Sequence, residues 1–271
     1  MISENKVKAK PLKVLDLFAG LGGWGQPFRD AGHDVVTLDF DPRFNTDHVR
    51  DILTVESLAE LERDGRFDVV LASPPCETFS VASIGRYWTG GKRGYEPKND
   101  RARVGLSIMF KTFALVDAYA PRYFVIENPR GMMRKLAPRG PQATTWYCQW
   151  GMPYAKPTDV WTNLAGVWPS CRNGSTDHEA ARRGAKTGVQ GIFGESERVR
   201  LERGEKVLGY GLRPNGSLRR FTAFEMKTGG VTGAAKRALI PYEMADAVRR
   251  ACETDGTIRG PKLEQLALAV G

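Results

Sequence analysis

A chain of 271 residues with 41% hydrophobic content can bury a core as one large domain, or one domain with a small satellite. Its 40 Lys+Arg against 31 Asp+Glu give a net charge of +9, which suits a polyanionic partner without separating DNA from RNA or a membrane surface. Cys76, Cys148, Cys171 and Cys252 lie far apart with no CxxC pair, which speaks against a disulfide framework and for reduced cytosolic thiols. The polar start MISENKVKAK has no apolar signal core, and no segment approaches bilayer length.

Residues 1–11 read as a polar lead. Lys13–Phe18 (KVLDLF) reads as a buried strand that runs into Ala19–Gly25 (AGLGGWG), with a helix to Ala31. Strand, glycine turn and helix make a nucleotide-binding layout, because missing side chains let backbone N–H groups approach a ligand. The spacing is not GxGxxG, so a tight turn without a ligand is the competing reading. Asp34–Leu38 is a second strand, followed by Asp39, Phe40 and Asp41. A carboxylate just past the second strand of such a unit suits a ribose hydroxyl, and Phe40 can stack on a purine. Asp51, after a short extended piece, is a candidate acceptor for an exocyclic amine. Each acid alone reads equally as a solvated loop end; in this order they describe a nucleoside cradle.

Leu58–Arg63 is helical in pattern, and Phe67–Leu71 (FDVVL) is another buried strand. Ser73-Pro74-Pro75 then stops the sheet and stiffens the turn that presents Cys76. A thiol at a strand's carboxyl end stands where open α/β sheets place ligands; a small buried hydrophobe is the bland reading. Residues 81–100 show little periodicity. They carry four glycines, the cations Arg86, Lys92, Arg93 and Lys98, and the aromatics Tyr87, Trp88 and Tyr95. This is the composition of a lid that contacts phosphates and bases, or of a disordered surface loop.

Leu106–Tyr119 has helical spacing for core packing, and Pro121 ends it. Tyr123–Ile126 is a buried strand ending in Glu127-Asn128-Pro129, a second reactive group at a strand end. Burial there would raise a carboxyl's pKa and let it hold or donate a proton; a satisfied structural acid is the opposing reading. Residues 147–162 read as a glycine–proline turn and an edge strand. Residues 164–235 hold twelve Lys+Arg and seven Asp+Glu, and read as a small second domain or insertion. Arg182, Arg183 and Lys186, with Arg219 and Arg220, are candidate phosphate contacts or a solvated basic face. Cys171 and His178 are two ligands rather than four, so no metal is expected. Ile240–Cys252 reads as a closing helix that packs back on the main domain, with proline in its first turn.

Taken together, DLFAGLGG (Asp16–Gly23), LDFD (Leu38–Asp41), RDI at Asp51, SPPCETFS around Cys76 and IENP at Glu127 resemble the ordered motif series of the cytosine-5 DNA methyltransferases. The resemblance covers residues 12–163 well and the closing helix weakly. It implies an α/β fold: a Rossmann-like S-adenosylmethionine-dependent methyltransferase sheet with a small target-recognition domain. The division is then 1–163 catalytic, 164–235 target recognition, and 236–271 a C-terminal helix packing back. By resemblance, Phe18, Gly20, Gly22 and Pro74 line the S-adenosylmethionine site, Asp39 takes the ribose, Phe40 stacks on adenine and Asp51 accepts from its amino group. Cys76 is the nucleophile that adds to the cytosine ring and Glu127 its acid partner, acting on a base flipped from duplex DNA. Ser80, Arg86, Lys92, Arg93, Lys156, Thr158, Arg182, Arg183 and Lys186 face the nucleic acid. A monomer in a bacterial cytoplasm is expected, of the compact type similar to phage methylases.

The chain departs from the family in three places. Glu127-Asn128-Pro129 stands where the family has Glu-Asn-Val, which keeps the acid. Pro153-Tyr154-Ala155-Lys156-Pro157-Thr158 stands where the family has Pro-Gln-x-Arg-x-Arg, so Thr158 supplies no guanidinium. Arg237-Ala238-Leu239-Ile240-Pro241 stands for a late Gly-Asn-x-Val-Pro motif, and its cation raises a different donor, an acidic derivative of S-adenosylmethionine. The same motifs would also serve cytosine-5 chemistry on RNA, or a homologue that binds DNA without catalysis.

Overall fold

A computed structural model describes residues 10–90, 94–152, 156–171, 210–212, 218–220 and 239–260. In chain order the main body contains β1 (Lys13–Leu17), α1 (Gly25–Asp30), β2 (Asp34–Asp39), β3 (His48–Val49), β4 (Val69–Ala72), α2 (Ile84–Tyr87), α3 (Asp100–Tyr119), β5 (Tyr123–Pro129), α4 (Met133–Leu136), β6 (Ala143–Trp146), β7 (Pro157–Thr162), β8 (Ala165–Gly166), α5 (Tyr242–Glu253) and a short last strand, Thr257–Ile258. Seven strands form one sheet in the order β3-β2-β1-β4-β5-β7-β6. The first five pair in parallel, while β7 runs antiparallel to both β5 and β6. This is the mostly parallel, Rossmann-like arrangement that the motif series implies.

The strands are apolar on both faces because both faces are covered. Successive side chains point to opposite sides, and two cores result. Leu15, Leu17, Val70, Ala72, Ile126 and Trp161 join Met109, Phe113 and Val116 of α3 on one face. Val14, Val69, Leu71, Val125 and Val160 join Phe28 of α1 and Met244, Ala245 and Val248 of α5 on the other. The stripe Met244, Ala245, Val248, Ala251 and Cys252 has helical spacing and is buried throughout, so α5 covers the second face.

Several boundaries differ from the sequence reading. Residues 58–61 form a 3₁₀ turn capped by Ser57, too short for an α-helix. Residues 157–162 are not the edge strand: β6 flanks them, a strand hidden in the four residues ATTW. The segment 81–100 is ordered at its base, with a 3₁₀ turn, α2 and a bridge between Trp88 and Pro97. The region read as beginning at 164 also reaches into the main body. Leu164 and Trp168 are buried in the second core, and β8 pairs with Thr257–Ile258. Two further strands, β9 (Tyr210–Leu212) and β10 (Leu218–Arg220), pair antiparallel with each other, and the last strand is β11.

Asp16 lies in the middle of this construction. It sits on β1 and is 1% exposed, and its carboxylate accepts from the Gly25 N–H at 3.0 Å, fastening the start of α1 to the sheet. Burial, opposed by that hydrogen bond, pushes its pKa from 3.8 up to about 7. The folded state thus holds the proton more tightly than the unfolded chain. The resulting stability is complete below about pH 4 and is lost as pH rises through 7, a swing of up to roughly 4 kcal/mol. Asp16→Asn, which keeps an acceptor for Gly25 but cannot ionise, should remove this dependence. Its melting temperature relative to the parent should climb between about pH 5 and pH 8; parallel melting profiles would refute the assignment.

Candidate active site

Parallel strands β2, β1, β4 and β5 all end at the same edge of the sheet, and the chain passes to opposite sides of β1 there, which opens a crevice. After β1 the backbone turns sharply: Phe18 has φ +61°, Gly20 +52° and Gly22 +77°. A bulky residue in that region is strained, typically by about 1–3 kcal/mol, and such strain is held in place only by its surroundings. Here Asp39, at the end of β2, provides the hold. Its two oxygens accept from the backbone N–H of Gly20 and of Asp41, each at 3.0 Å. On the β4 side, the Trp24 indole donates to Ser73 Oγ at 2.9 Å. The result is a cavity of about 190 Å³ lined by Phe18, Gly20, Asp39, Phe40, Ser73 and Ile240 among others. Asp39 is buried, whereas the Phe40 ring is 69% exposed, a flat apolar surface at the cavity wall.

Cys76 follows β4 by four residues. Its carbonyl accepts from the N–H groups of Phe79 (3.1 Å) and Ser80 (3.0 Å), which closes a turn around the thiol. Pairing of Ala72 with Ile126 brings β5 alongside, and Glu127 is the next residue on that strand, which continues to Pro129 and does not stop at Ile126 as the sequence reading has it. Two links tie the loops together: Asn128 Nδ2 donates to the Pro74 carbonyl at 2.8 Å, and the Met132 N–H donates to the Phe79 carbonyl at 2.7 Å. Cys76 is half-buried. Burial pushes its thiol above the usual range, the Lys156 charge pulls it back, and Glu127 and Glu77 add to the rise. Cys148 and Cys252 differ: both are buried, and desolvation pushes each thiol up to about 12, as for structural hydrophobes. Glu127 is 3% exposed; Tyr147 donates to its Oε1 at 3.1 Å, and the Thr158 hydroxyl donates to the same atom.

Residues 12–139, which carry the glycine turn, the Cys76 loop and Glu127, match the family described as C-5 cytosine-specific DNA methylase. A probable DNA (cytosine-5)-methyltransferase of Frog virus 3 (isolate Goorha) is 30% identical over 163 residues, 58% of this chain and 73% of that protein. The chain belongs to the C-5 cytosine-specific DNA methylase family. Type II methyltransferase M.AgeI of Thalassovita gelatinovora is 31% identical over 137 residues, and M.AplI of Arthrospira platensis (strain NIES-39 / UTEX 3086 / IAM M-135) is 32% identical over 129. Those alignments cover 45% and 46% of this chain but only 29% and 33% of the two enzymes, so the chain matches about a third of their length.

Within this methylase chain, the remaining expected residues fall in three groups. Phe18, Gly20, Asp39 and Phe40 converge on the cavity. Gly22 shapes the turn, Pro74 offers its carbonyl to Asn128, and Asp51 caps the turn at Ile52 by accepting from the Leu53 N–H at 3.0 Å; none of these three lines the cavity. Ser80 makes a backbone bridge to Gly131, and Arg86 is exposed above the Tyr87 ring. Lys92, Arg93, Arg182, Arg183, Lys186, Arg237 and His178 lie outside the described residues. Three expectations need correction. Tyr87 and Trp88 do not reach outward for bases, because they are 2% and 1% exposed, with Trp88 stacked on Phe79. Tyr95 is half-buried, its hydroxyl taken by Lys135. Thr158 is fully buried, and its hydroxyl serves Glu127 instead of facing nucleic acid. Tyr147 is a site neighbour that the sequence reading does not single out, because its partner Glu127 lies 20 positions away on β5. Among the described residues no cluster of three or more metal-ligating side chains occurs, and no helix is long and apolar enough to cross a membrane.

The turn that carries Cys76 owes its position to Gly131. A Cβ there would stand 2.2 Å from the Phe79 carbonyl oxygen, a backbone atom that cannot step aside. Gly131→Ala should therefore displace the Cys76 turn, destabilise the fold by about 2 kcal/mol or more and cut any activity at Cys76. A variant with parental melting temperature and parental Cys76 reactivity would show that the contact is dispensable.

Proposed function

We propose that this chain is a DNA (cytosine-5-)-methyltransferase whose Cys76 attacks a cytosine flipped from duplex DNA. The observation that carries the reading is a half-buried thiol just past the end of β4 and a buried carboxyl on the neighbouring strand β5, beside a cavity built by the glycine turn. The residues present fit S-adenosylmethionine. Asp39 offers a buried carboxylate for the ribose, Phe40 an exposed ring for adenine, and Phe18, Gly20 and Gly22 a backbone cradle. Asp51 lies at the end of the next strand, where it would accept from the adenine amino group. When bound, the cofactor supplies a methyl group on a positively charged sulfur.

The protein's own work is to make carbon 5 of cytosine a nucleophile. The Cys76 sulfur, as thiolate, forms a bond to carbon 6, and Glu127 supplies a proton or hydrogen bond at N3, so electron density moves to carbon 5. After transfer, loss of the carbon 5 proton expels the thiolate and restores the ring. The target atom is buried in the base stack, so the base must leave the helix, at a cost of roughly a few kcal/mol. Arg86, Lys92 and Arg93, which follow Cys76 in sequence, and residues 164–235 with twelve Lys+Arg against seven Asp+Glu, suit phosphate contact and sequence reading.

Cys76→Ala should abolish transfer while S-adenosylmethionine binding, followed by calorimetry, persists. A duplex carrying 5-fluorocytosine should leave a permanent adduct that peptide mapping places on Cys76; an adduct elsewhere, or none, would remove the mechanism. Glu127→Gln should slow single-turnover transfer about a hundredfold or more. Labelling of tRNA in preference to duplex DNA would favour RNA as the substrate.

A further inference from the structure

Pairing of β7 with β6 and β5 brings together Tyr147, Lys156, Thr158 and Glu127. Pairing of Trp146 with Pro157 puts Tyr147 opposite Lys156, and the Tyr147 N–H donates to the Lys156 carbonyl at 3.2 Å. Thr145 pairs with Thr158, Ala143 with Val160, and Val160 in turn with Glu127. Side chains alternate along strands, so Tyr147, Lys156, Thr158 and Glu127 share one face of the sheet. The phenol has one proton, which it gives to Glu127 Oε1 at 3.1 Å; its lone pair accepts from Lys156 Nζ, also at 3.1 Å. The same ammonium lies 4.2 Å from the centroid of the Tyr147 ring, a second hold on the cation. Because the Thr158 hydroxyl also ends on Oε1, and no hydrogen bond among the described residues ends on Oε2, the second oxygen is left to meet a base.

Three charged groups act on the Cys76 sulfur: Lys156, Glu127 and Glu77. Glu77 is engaged by the Tyr87 hydroxyl at 2.7 Å and by Arg101 at 3.0 Å. Lys156 is the group that favours the thiolate, against burial and both carboxylates.

We propose that Tyr147 is a positioning residue for the transfer reaction: its hydroxyl couples the Lys156 ammonium to the Glu127 carboxyl, so that one fixed cation supports both the carboxyl and the Cys76 sulfur. The inference rests on the reading of Cys76 and Glu127 as the reacting pair. A hydroxyl that only filled space could be lost without touching the reactivity of a thiol on another strand. A hydroxyl that holds the cation could not.

The test is the pH dependence of Cys76 alkylation by iodoacetamide, read from the Cys76 peptide by mass spectrometry between about pH 7 and pH 11. Tyr147→Phe and Lys156→Met should each move the midpoint upward, by about half a pH unit or more. Glu127→Gln should move it downward, and Lys156→Arg should keep the parental value. Single-turnover methyl transfer should fall about tenfold in Tyr147→Phe with the dissociation constant of S-adenosylmethionine unchanged. An unmoved midpoint in Tyr147→Phe, with or without a shift in Lys156→Met, would overturn the proposal. Should Tyr147→Phe not fold, Lys156→Met decides, and an unmoved midpoint there overturns it equally. If the parent protein transfers no methyl group, the functional reading fails, while the alkylation series still reports whether Tyr147 and Lys156 govern the thiol.

Discussion

β4 is hydrogen-bonded on both sides in parallel register, to β1 through Ala72 and Leu17 and to β5 through Ala72 and Ile126. Parallel pairing aligns the strands, so the glycine turn after β1 and the Cys76 turn after β4 emerge beside the last residues of β5, Glu127 to Pro129. A register slip of one residue in β4 would exchange its two apolar faces. It would also carry Pro74 away from Asn128, and the thiol away from the carboxyl. The chemistry at this edge is thus set by burial far from it, through Val69, Val70 and Leu71, each with no exposed surface.

The two acids near the glycine turn show how the same residue type is put to different use. Asp16 and Asp39 are both buried on neighbouring strands and both accept from backbone N–H groups. Asp16 is enclosed and holds its proton to about pH 7, which suits a structural clasp at the start of α1. Asp39 braces the strained turn at Gly20 with one oxygen and accepts from the Asp41 N–H with the other, yet it borders the cavity, where a hydroxyl could still reach it. On the opposite side of the cleft, Cys76 sits in an environment that disfavours charge, offset by a nearby cation.

Much of this is legible in the sequence, because β1, β2, β4 and β5 are continuous apolar runs and their reactive residues stand at the run's end. Asp39, Phe40, Cys76 and Glu127 can be marked for that reason. β6 escapes because ATTW is four residues long and half threonine; without it, β7 looks like an edge. Tyr87 and Trp88 mislead because a four-residue helix shows no period, and aromatics among glycines and cations look like contacts for bases. Thr158 looks like a nucleic-acid contact because its true partner, Glu127, lies 31 positions away on the neighbouring strand. Tyr147 is the same case: what it does depends on a cross-strand neighbour, which spacing along one strand does not reveal.

Trp88 carries one more consequence. Its indole is buried against Phe79, donates to the Thr78 carbonyl at 2.7 Å and so is riveted to the very turn that bears the thiol. Freeing it would expose an apolar surface worth roughly 2–3 kcal/mol, before counting Tyr87 beside it. The crossing at its far side, where the Thr89 N–H donates to the Glu96 carbonyl at 2.9 Å, clamps both limbs of the segment to that anchor. The base of this segment is thereby tied to the turn that bears Cys76, and the two cannot part without losing that burial.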